Sequence, residues 1–250
     1  MAERIVANPG STLGEAIGTL IELEVNRLLR PIAEENGYVY VTAGPANIRT
    51  GRPTKLLLKD SMGNEFQIDS VIANTRMQPL VLIESKYTGH GEHNGDEDNL
   101  IYTAHYSLRR TFPTIRKSIV IVAGNWNGTP NVLMESFDIS LFEVGFPKIV
   151  STLAEYGVDI DWKKKEREKA VLAWEKWSQL NEIQYQEIAH KLLADIGPEL
   201  RESMKATLDT AISREVNEVK ITIETNLDEP RRNVFDSIDD AIEFLEAFDG

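Results

Sequence analysis

The sequence predicts an α/β (α+β) protein in which a central sheet is flanked by helices and followed by a mainly helical C-terminal part. Over residues 11–125, helical periodicity and short runs of Val, Ile and Leu follow one another in the order helix, three or four strands, helix, strand. After residue 130, charged helical patterns dominate. We therefore expect a core over residues 1–130 and a C-terminal part over 131–250 that packs with the core as one unit.

The first predicted helix covers residues 11–35. Ser11 is a suitable N-cap after the helix breakers Pro9 and Gly10, and Gly37 is a suitable stop. Pro31 lies inside this range, where a proline kinks a helix or ends it early. Apolar residues recur near helical spacing at Leu13, Ile17, Leu20, Ile21, Leu28 and Leu29. This stripe is expected to face the sheet.

Five runs rich in β-branched, aromatic or other apolar residues predict the strands of the core. They cover residues 37–43, 55–59, 65–73, 79–87 and 118–123. The last of them follows a second helix over about 97–110, which begins with carboxylates and ends with two arginines, as the helix dipole favours.

The C-terminal part is predicted from weaker patterns. The predicted elements are a short helix near Phe146, one long amphipathic helix or two over 161–194, a helix over 199–216, a strand over 219–225 and a last helix from Ser237 to Phe248. Gly197 and Pro198 are expected to break the helical pattern. The tryptophans of this part are expected in the core or in a subunit interface, which favours a role in dimerisation or in support of binding.

Composition and charge exclude several classes of protein. The chain of 250 residues has no cysteine, so disulfides and thiolate metal sites are excluded, and no run approaches the roughly 20 apolar residues of a membrane span. We therefore expect a cytoplasmic protein. The net charge of −13 argues against nucleic-acid binding. However, residues 1–130 hold 13 Lys/Arg and 14 Asp/Glu (−1), whereas residues 131–250 hold 14 and 26 (−12).

Three charged residues stand inside or at the end of two neighbouring predicted strands. Asp69 interrupts the strand over 65–73, and Glu84 and Lys86 end the strand over 79–87. Because side chains alternate along a strand, Glu84 and Lys86 lie on one face, with Ser85 opposite. Charges at strand positions are costly to bury unless they are paired or bind an ion.

This arrangement suits the binding of a hard divalent cation. Carboxylates on neighbouring strands, Asp69 and Glu84, can hold one Mg²⁺ through oxygen, with waters completing an octahedron. Lys86 beside the ion can orient or deprotonate a metal-bound water. An ion pair of Lys86 with Glu84 or Asp69 is the structural alternative.

Asp69 followed by Glu84, Ser85 and Lys86 resembles the active-site signature of the PD-(D/E)XK nuclease superfamily, the fold of many type II restriction endonucleases. Ile68 stands where the signature often has proline. The resemblance covers roughly residues 11–125. It implies a restriction-endonuclease-like central mixed sheet and Mg²⁺-dependent cleavage of double-stranded DNA that leaves a 5′-phosphate. It also implies a homodimer in a prokaryotic cytoplasm, with Asp69 and Glu84 as metal ligands and Lys86 as the residue that handles water.

Nucleases of this superfamily often carry a glutamate on the first helix that helps to hold metal or water. Glu22 matches this role best, because Gly18 lies one turn before it on the same face and allows the helix to approach the sheet. Glu15 and Glu24 are alternatives. A solvated carboxylate on the helix surface is the structural explanation.

Candidate DNA contacts are basic residues in two places. Arg49, Arg52 and Lys55 lie in a loop rich in Gly and Pro, and Arg109 and Arg110 end the second helix. Three further features are open to a functional or a structural explanation: His90 with His93 as metal ligands, Trp126 as a base contact, and the basic run from Lys163 to Lys169 as a DNA groove.

Two other functions stay open on sequence grounds. One is a structure-specific repair or recombination nuclease, a class that is usually more basic. The other is a non-catalytic acidic scaffold that binds proteins. In that case Asp69, Glu84 and Lys86 form a structural cluster, and the helices that carry tryptophan form the working surface.

Overall fold

The computed structural model describes most of the chain as two compact units, Met1–Leu208 and Asp209–Gly250. The described residues are 8–42, 56–89, 94–126, 137, 139–162, 166–210, 216–226 and 230–248, and of 94–99 only the backbone. The boundary expected at residue 130 falls inside the first unit.

The first unit confirms the predicted α/β (α+β) class, with a five-stranded mixed sheet flanked by helices. Its described elements are α1 (Pro9–Glu35), β1 (Val39–Thr42), β2 (Leu56–Lys59), β3 (Glu65–Ile68), β4 (Ser70–Ala73), β5 (Pro79–Thr88), α2 (Asn94–Thr111), β6 (Lys117–Gly124), β7 (Ile139–Gly145), α3 (Phe146–Ala154), α4 (Arg167–Ser178), α5 (Glu182–Leu193) and α6 (Gly197–Leu208).

The sheet has the strand order β1-β4-β5-β6-β7. The pairs β1·β4 and β4·β5 are antiparallel, and β5·β6 and β6·β7 are parallel. The prediction for residues 138–150 missed β7 and placed only a short helix there. Ile139, Phe142 and Val144 are buried but do not keep a period of two, so the strand pattern is weak.

Helices cover both faces of the sheet. Ile83 and Ile121 belong to the core that contains the apolar stripe of α1. Leu82 packs instead with Ala104 and Leu108 of α2. Burial on both faces explains why the central strands are almost continuously apolar.

The helix α1 is longer than predicted. It begins at Pro9, because Asn8 rather than Ser11 is the N-cap: the Asn8 Oδ1 accepts the Ser11 N–H at 3.4 Å. Pro31 does not end it, and the helix continues to Glu35.

The predicted single strand over residues 65–73 is wrong at one position. The chain bends at Asp69, so β3 pairs with β2 in a separate hairpin, whereas β4 pairs with β1 and β5 in the main sheet. Leu56, Leu58 and Phe66 of the hairpin pack against the apolar cluster under α2.

The C-terminal helices of the first unit join the core on the α1 side. Trp177 and Tyr185 are fully buried there, with ring centroids 5.0 Å apart, as the prediction of a core position for the tryptophans requires. The predicted helical segment over 161–194 is two helices, α4 and α5. Gly197 and Pro198 were expected only to break the pattern, but they begin α6.

The second unit consists of an antiparallel hairpin and one helix. The strands are β8 (Val219–Ile223) and β9 (Arg231–Phe235), and the helix is α7 (Ile238–Glu246). The prediction missed β9 and placed no element between residue 225 and Ser237. The predicted start of the last helix is confirmed: the Ser237 hydroxyl accepts the Asp240 N–H at 3.1 Å.

Among the helices within the described ranges, none combines the length and the hydropathy that crossing a bilayer requires.

Candidate active site at the open edge of β5

The candidate site lies where the antiparallel part of the sheet ends. The β4·β5 ladder ends with the pair Ser70 and Ile83. From Glu84 to Thr88, β5 continues beside β6, while within the described residues no strand pairs with its other edge. The departure of β3 at Asp69 opens this edge.

Asp69 closes the inner end of the open edge. It is 2% exposed, and its Oδ2 accepts the Ser85 N–H at 2.7 Å. Asp69 directly precedes Ser70, which pairs with Ile83, and its carboxylate contacts the residue after Glu84, so Asp69 and Glu84 lie close together at the end of the ladder. The two predicted metal ligands are therefore neighbours at the point where the chain bends away from β5.

Glu84 and Lys86 lie on the face of β5 that is covered by α2. Leu82 packs with α2, and β5 is a strand throughout, so Glu84 and Lys86 share its face by alternation. Glu84 is buried, whereas Lys86 is half-buried and closer to the end of the strand. The predicted common face thus agrees with this geometry.

The position of α1 along the sheet is set by a polar contact. The Asn26 Oδ1 accepts hydrogen bonds from the Tyr40 hydroxyl at 2.7 Å and the Ser70 hydroxyl at 2.6 Å. One turn further along, the Arg30 guanidinium lies 4.9 Å from the centre of the Tyr40 ring. Asn26 is therefore at the level of the first residue of β4.

Glu22 lies one turn before Asn26, on the side of Asp69. It is 8% exposed. Burial raises the pKa of the Tyr40 hydroxyl, and the nearby negative charges of Glu22 and Asp69 raise it further. Both carboxylates thus lie within electrostatic range of one phenol.

Glycine residues let α1 approach β5 closely. A Cβ atom at Gly14 would lie 3.3 Å from Tyr87 Cε1, and one at Gly18 would lie 3.4 Å from Tyr87 Cβ. This contact agrees with the predicted close approach at Gly18. Burial of the Tyr87 side chain raises the pKa of its hydroxyl. Since Tyr87 lies on the α1 face, Glu22 approaches the open edge from the face opposite to that of Glu84.

The two alternatives to Glu22 are placed differently. Glu15 is exposed. Glu24 is buried, but both of its oxygens accept hydrogen bonds from Arg27 at 2.6 Å, and its Oε1 lies 3.6 Å from His190 Nδ1 of α5. Of these three glutamates, Glu22 is the one whose charge, like that of Asp69, raises the pKa of the Tyr40 hydroxyl.

Sequence reasoning missed His105 of α2. Its side chain is 0% exposed, and its Nε2 lies 3.8 Å from Glu84 Oε2. A signal was present: His105 stands inside the apolar stripe of Ile101, Ala104 and Leu108, so it had to face the sheet.

The side chains at the open edge of β5 can provide some of the oxygen ligands of a hard cation. Within the described residues, no three His, Asp or Glu side chains form a ready-made metal cage. Asp69 and Glu84 provide two carboxylates, and Mg²⁺ is commonly bound by one or two carboxylates, with waters and substrate oxygens as its other ligands. This donor set is therefore chemically adequate for Mg²⁺.

The predicted DNA contacts are only partly placed. Arg49, Arg52 and Lys55 lie outside the described residues, as do His90, His93 and Lys163 to Lys165. The Arg109 Nη1 donates to the Phe137 carbonyl at 3.0 Å. Arg110 is exposed, with its guanidinium 5.8 Å from the centre of the Tyr106 ring.

Trp126 is a packed aromatic residue in this structure. Its indole N–H donates to the Ala123 carbonyl at 2.9 Å, and its ring packs on the apolar cluster of Ile101, Val120 and Val122. The structural alternative that the sequence left open for Trp126 is thus the one observed.

Comparison with known proteins does not assign this chain to a family. No family model matches it, and no curated protein is significantly similar. A crystal structure described as "Protein of Unknown Function AF1548" is 15% identical, over 76% of this chain and 98% of that one, with a TM-score of 0.33. A likeness this weak supports no argument about function.

Proposed function

We propose that this protein is a Mg²⁺-dependent endodeoxyribonuclease that hydrolyses phosphodiester bonds in double-stranded DNA, as a type II restriction endonuclease does. The observation that carries the proposal is the placement of buried Asp69 beside the buried Glu84 at the open edge of β5. In this proposal the protein acts as a homodimer.

Asp69 and Glu84 would hold Mg²⁺ through carboxylate oxygens. When bound, the ion supplies Lewis acidity, which lowers the pKa of water and offsets the charge that develops on the phosphate. The Ser85 N–H donates to Asp69 Oδ2 at 2.7 Å and so fixes the orientation of that carboxylate. This hydrogen bond gives one metal ligand a defined direction before the ion arrives.

Lys86 handles the attacking water. Lys86 is half-buried and lies two residues beyond Glu84. Its side chain can orient the water as an ammonium or accept a proton from the water as a neutral amine. The water oxygen forms a bond to phosphorus, the bond from phosphorus to the 3′ oxygen breaks, and a 5′-phosphate and a 3′-hydroxyl result. Glu22, which approaches from the α1 face, would assist by holding metal or water.

DNA reaches the site at the open edge of β5, the edge of residues 84–88 that faces away from β6 and that no described strand pairs with. Arg110 at the end of α2 and the basic loop that contains Arg49, Arg52 and Lys55 would bind phosphates. The near balance of charge over residues 1–130, with 13 Lys/Arg and 14 Asp/Glu, leaves this half without strong repulsion of DNA.

Plasmid digestion tests the proposal. Plasmid DNA is incubated with the protein in Mg²⁺ and, in parallel, in EDTA. Discrete fragments that appear in Mg²⁺ but not in EDTA support a restriction endonuclease. A smear of fragments that appears only in Mg²⁺ indicates a repair or recombination nuclease. DNA that stays intact in both conditions indicates the non-catalytic scaffold.

The variant Lys86→Ala distinguishes cleavage by this protein from cleavage by a contaminating nuclease. We expect cleavage to fall by about 10²-fold or more, since general acid–base groups contribute 10²–10⁴-fold, while circular dichroism stays unchanged. Full activity in a folded Lys86→Ala variant would remove Lys86 from the site.

A further inference from the structure

His105 is a fully buried polar side chain with no hydrogen-bond partner for either ring nitrogen within the described part of the chain. A buried polar group without a partner lowers stability, so packing alone is a poor reason to keep it. An apolar side chain of similar volume would fill the same space at lower cost. This points to a role that the imidazole plays only with another group.

The surroundings of His105 leave one obvious target. On the same face of α2, Ile101, Ala104 and Leu108 are buried in apolar clusters against the sheet. The Nε2 points instead toward a carboxylate, with Glu84 Oε2 at 3.8 Å. This distance exceeds an ordinary N–H···O hydrogen bond by about 1 Å, which small side-chain rotations can close.

We propose that His105 is a positioning residue for Glu84. Its Nε2–H donates to Glu84 Oε2 and turns the other carboxylate oxygen toward the cation at the open edge of β5. One neutral tautomer and the imidazolium both carry the required proton. This inference rests on the proposed function, because it assumes that Glu84 binds a divalent cation.

A direct bond from His105 to the cation fits the structure less well. The imidazole is sealed in the layer between α2 and the sheet, where Leu108, Val120 and Val122 are also buried. A cation bound at Nε2 would lie in that apolar layer, where waters cannot complete an octahedron. The geometry permits His105 to donate a hydrogen bond to Glu84, the proposed metal ligand, without contacting the cation.

Cation affinity, measured without DNA, tests the positioning role. The variants His105→Gln and His105→Asn carry the same amide, but the amide nitrogen of Gln can take the place of Nε2, whereas that of Asn is one bond too short. Mn²⁺ binding is measured by electron paramagnetic resonance of the free ion, and Mg²⁺ binding by competition. Thermal unfolding shows that each variant is folded.

We expect His105→Asn to weaken Mn²⁺ and Mg²⁺ binding about equally, by roughly 10–100-fold, as the loss of a hydrogen bond to a metal ligand commonly does. His105→Gln should recover most of the affinity. Equal affinity in His105→Asn and the wild type would overturn the role. The role would also be overturned if His105→Asn lost far more affinity for Mn²⁺ than for Mg²⁺. Nitrogen ligands favour transition metals, so that result would show that the imidazole is itself a metal ligand.

These outcomes separate the two proposals. If the wild type binds the cation and the variants behave as expected, but plasmid DNA stays intact, the nuclease function fails and the positioning role stands. If DNA is cut and His105→Asn binds the cation normally, only the positioning role fails. A wild type that binds no divalent cation contradicts both.

Discussion

At Asp69 a change of strand pairing and a candidate metal ligand coincide. The residue before it pairs with β2 and the residue after it pairs with β1. The carboxylate replaces a backbone acceptor by receiving the Ser85 N–H at 2.7 Å. The Asp69 side chain thus provides an acceptor for a backbone N–H of β5 at the point where the neighbouring strand leaves. The same hydrogen bond fixes the position of the Asp69 carboxylate.

Glu22 gives a prediction at the scale of one residue. Because Glu22 is buried beside the Asp69 region, we expect Glu22→Gln to lower Mg²⁺-dependent cleavage by about 10-fold or more, as the loss of a metal-site partner does. The matched control is Glu15→Gln, two turns back on the same helix and exposed. Initial rates of plasmid cleavage compare the two. Equal rates in both variants would place the assisting carboxylate elsewhere.

At the scale of elements, the end of β5 depends on a glycine in β6. Gly124 has φ +103, and a Cβ atom there would collide with the Thr88 backbone oxygen, two residues beyond Lys86. The Asn125 N–H donates to the same oxygen at 2.9 Å. Only glycine at position 124 therefore allows the end of β6 to stay in register with the end of β5, whose other edge is the open one.

We expect Gly124→Ala to lower the free energy of unfolding by roughly 3 kcal/mol, since backbone strain adds to the collision. Gly157 is the control, because it has φ +74 but nothing within 4 Å of an added Cβ atom. Gly157→Ala should lower the free energy of unfolding by only about 1–2 kcal/mol. Urea unfolding measures both, and equal losses would mean that the Thr88 contact is relaxed without cost.

The turn between β2 and β3 is fastened to α2 by Asp60. The Asn64 side chain and the Ser107 hydroxyl, donating to Asp60 at 2.9 and 2.7 Å, lower the pKa of that carboxyl to about 2. A lowered pKa stabilises the fold while the carboxyl is ionised in both the folded and the unfolded state. This contribution is complete above the ordinary pKa of 3.8 and is lost as the pH falls toward 2.

We therefore expect the urea midpoint of the wild type to exceed that of Asp60→Asn by a constant amount between pH 7 and 5. The difference should shrink below pH 4. Ser107→Ala removes one donor, so it should move this loss to higher pH. A difference that does not change with pH would show that the ionised carboxyl contributes nothing.

Local pattern predicted most elements, and tertiary pairing explains the failures. The apolar runs of β5 and β6 and the stripe of α1 carry their own signal. The break at Asp69 does not, because it depends on which strand lies beside each half. The strand β9 was missed because its two arginines face solvent in a short hairpin.

The candidate site was predictable to the same extent. Asp69, Glu84 and Lys86 are visible from spacing along neighbouring strands. The proximity of His105 to Glu84 is not, since it requires α2 to lie across Glu84, and the apolar stripe of α2 indicates only that His105 faces the sheet. Asn26 is likewise informative only once Tyr40 and Ser70 are brought to it.

At the scale of the whole molecule, the candidate site belongs entirely to the first unit. Residues 209–250 hold 4 Lys/Arg and 12 Asp/Glu, so a chain ending at Leu208 has a net charge of −5 instead of −13. We expect this shortened chain to fold cooperatively and to bind non-specific DNA more tightly at low salt, because repulsion falls. Circular dichroism and fluorescence anisotropy with labelled duplex measure both. A shortened chain that is unfolded would show that the second unit is needed for the first.

The central claim is that Asp69 and Glu84 share one divalent cation, and anomalous scattering from crystals soaked in Mn²⁺ tests it most directly. We expect a single strong peak about 2.2 Å from an oxygen of each carboxylate, on the open edge of β5. Crystals of Asp69→Asn should lose the peak, and crystals of Glu15→Gln should keep it. A wild-type crystal without a peak at this position, or with its strongest peak on other residues, would contradict the metal site and the nuclease built on it.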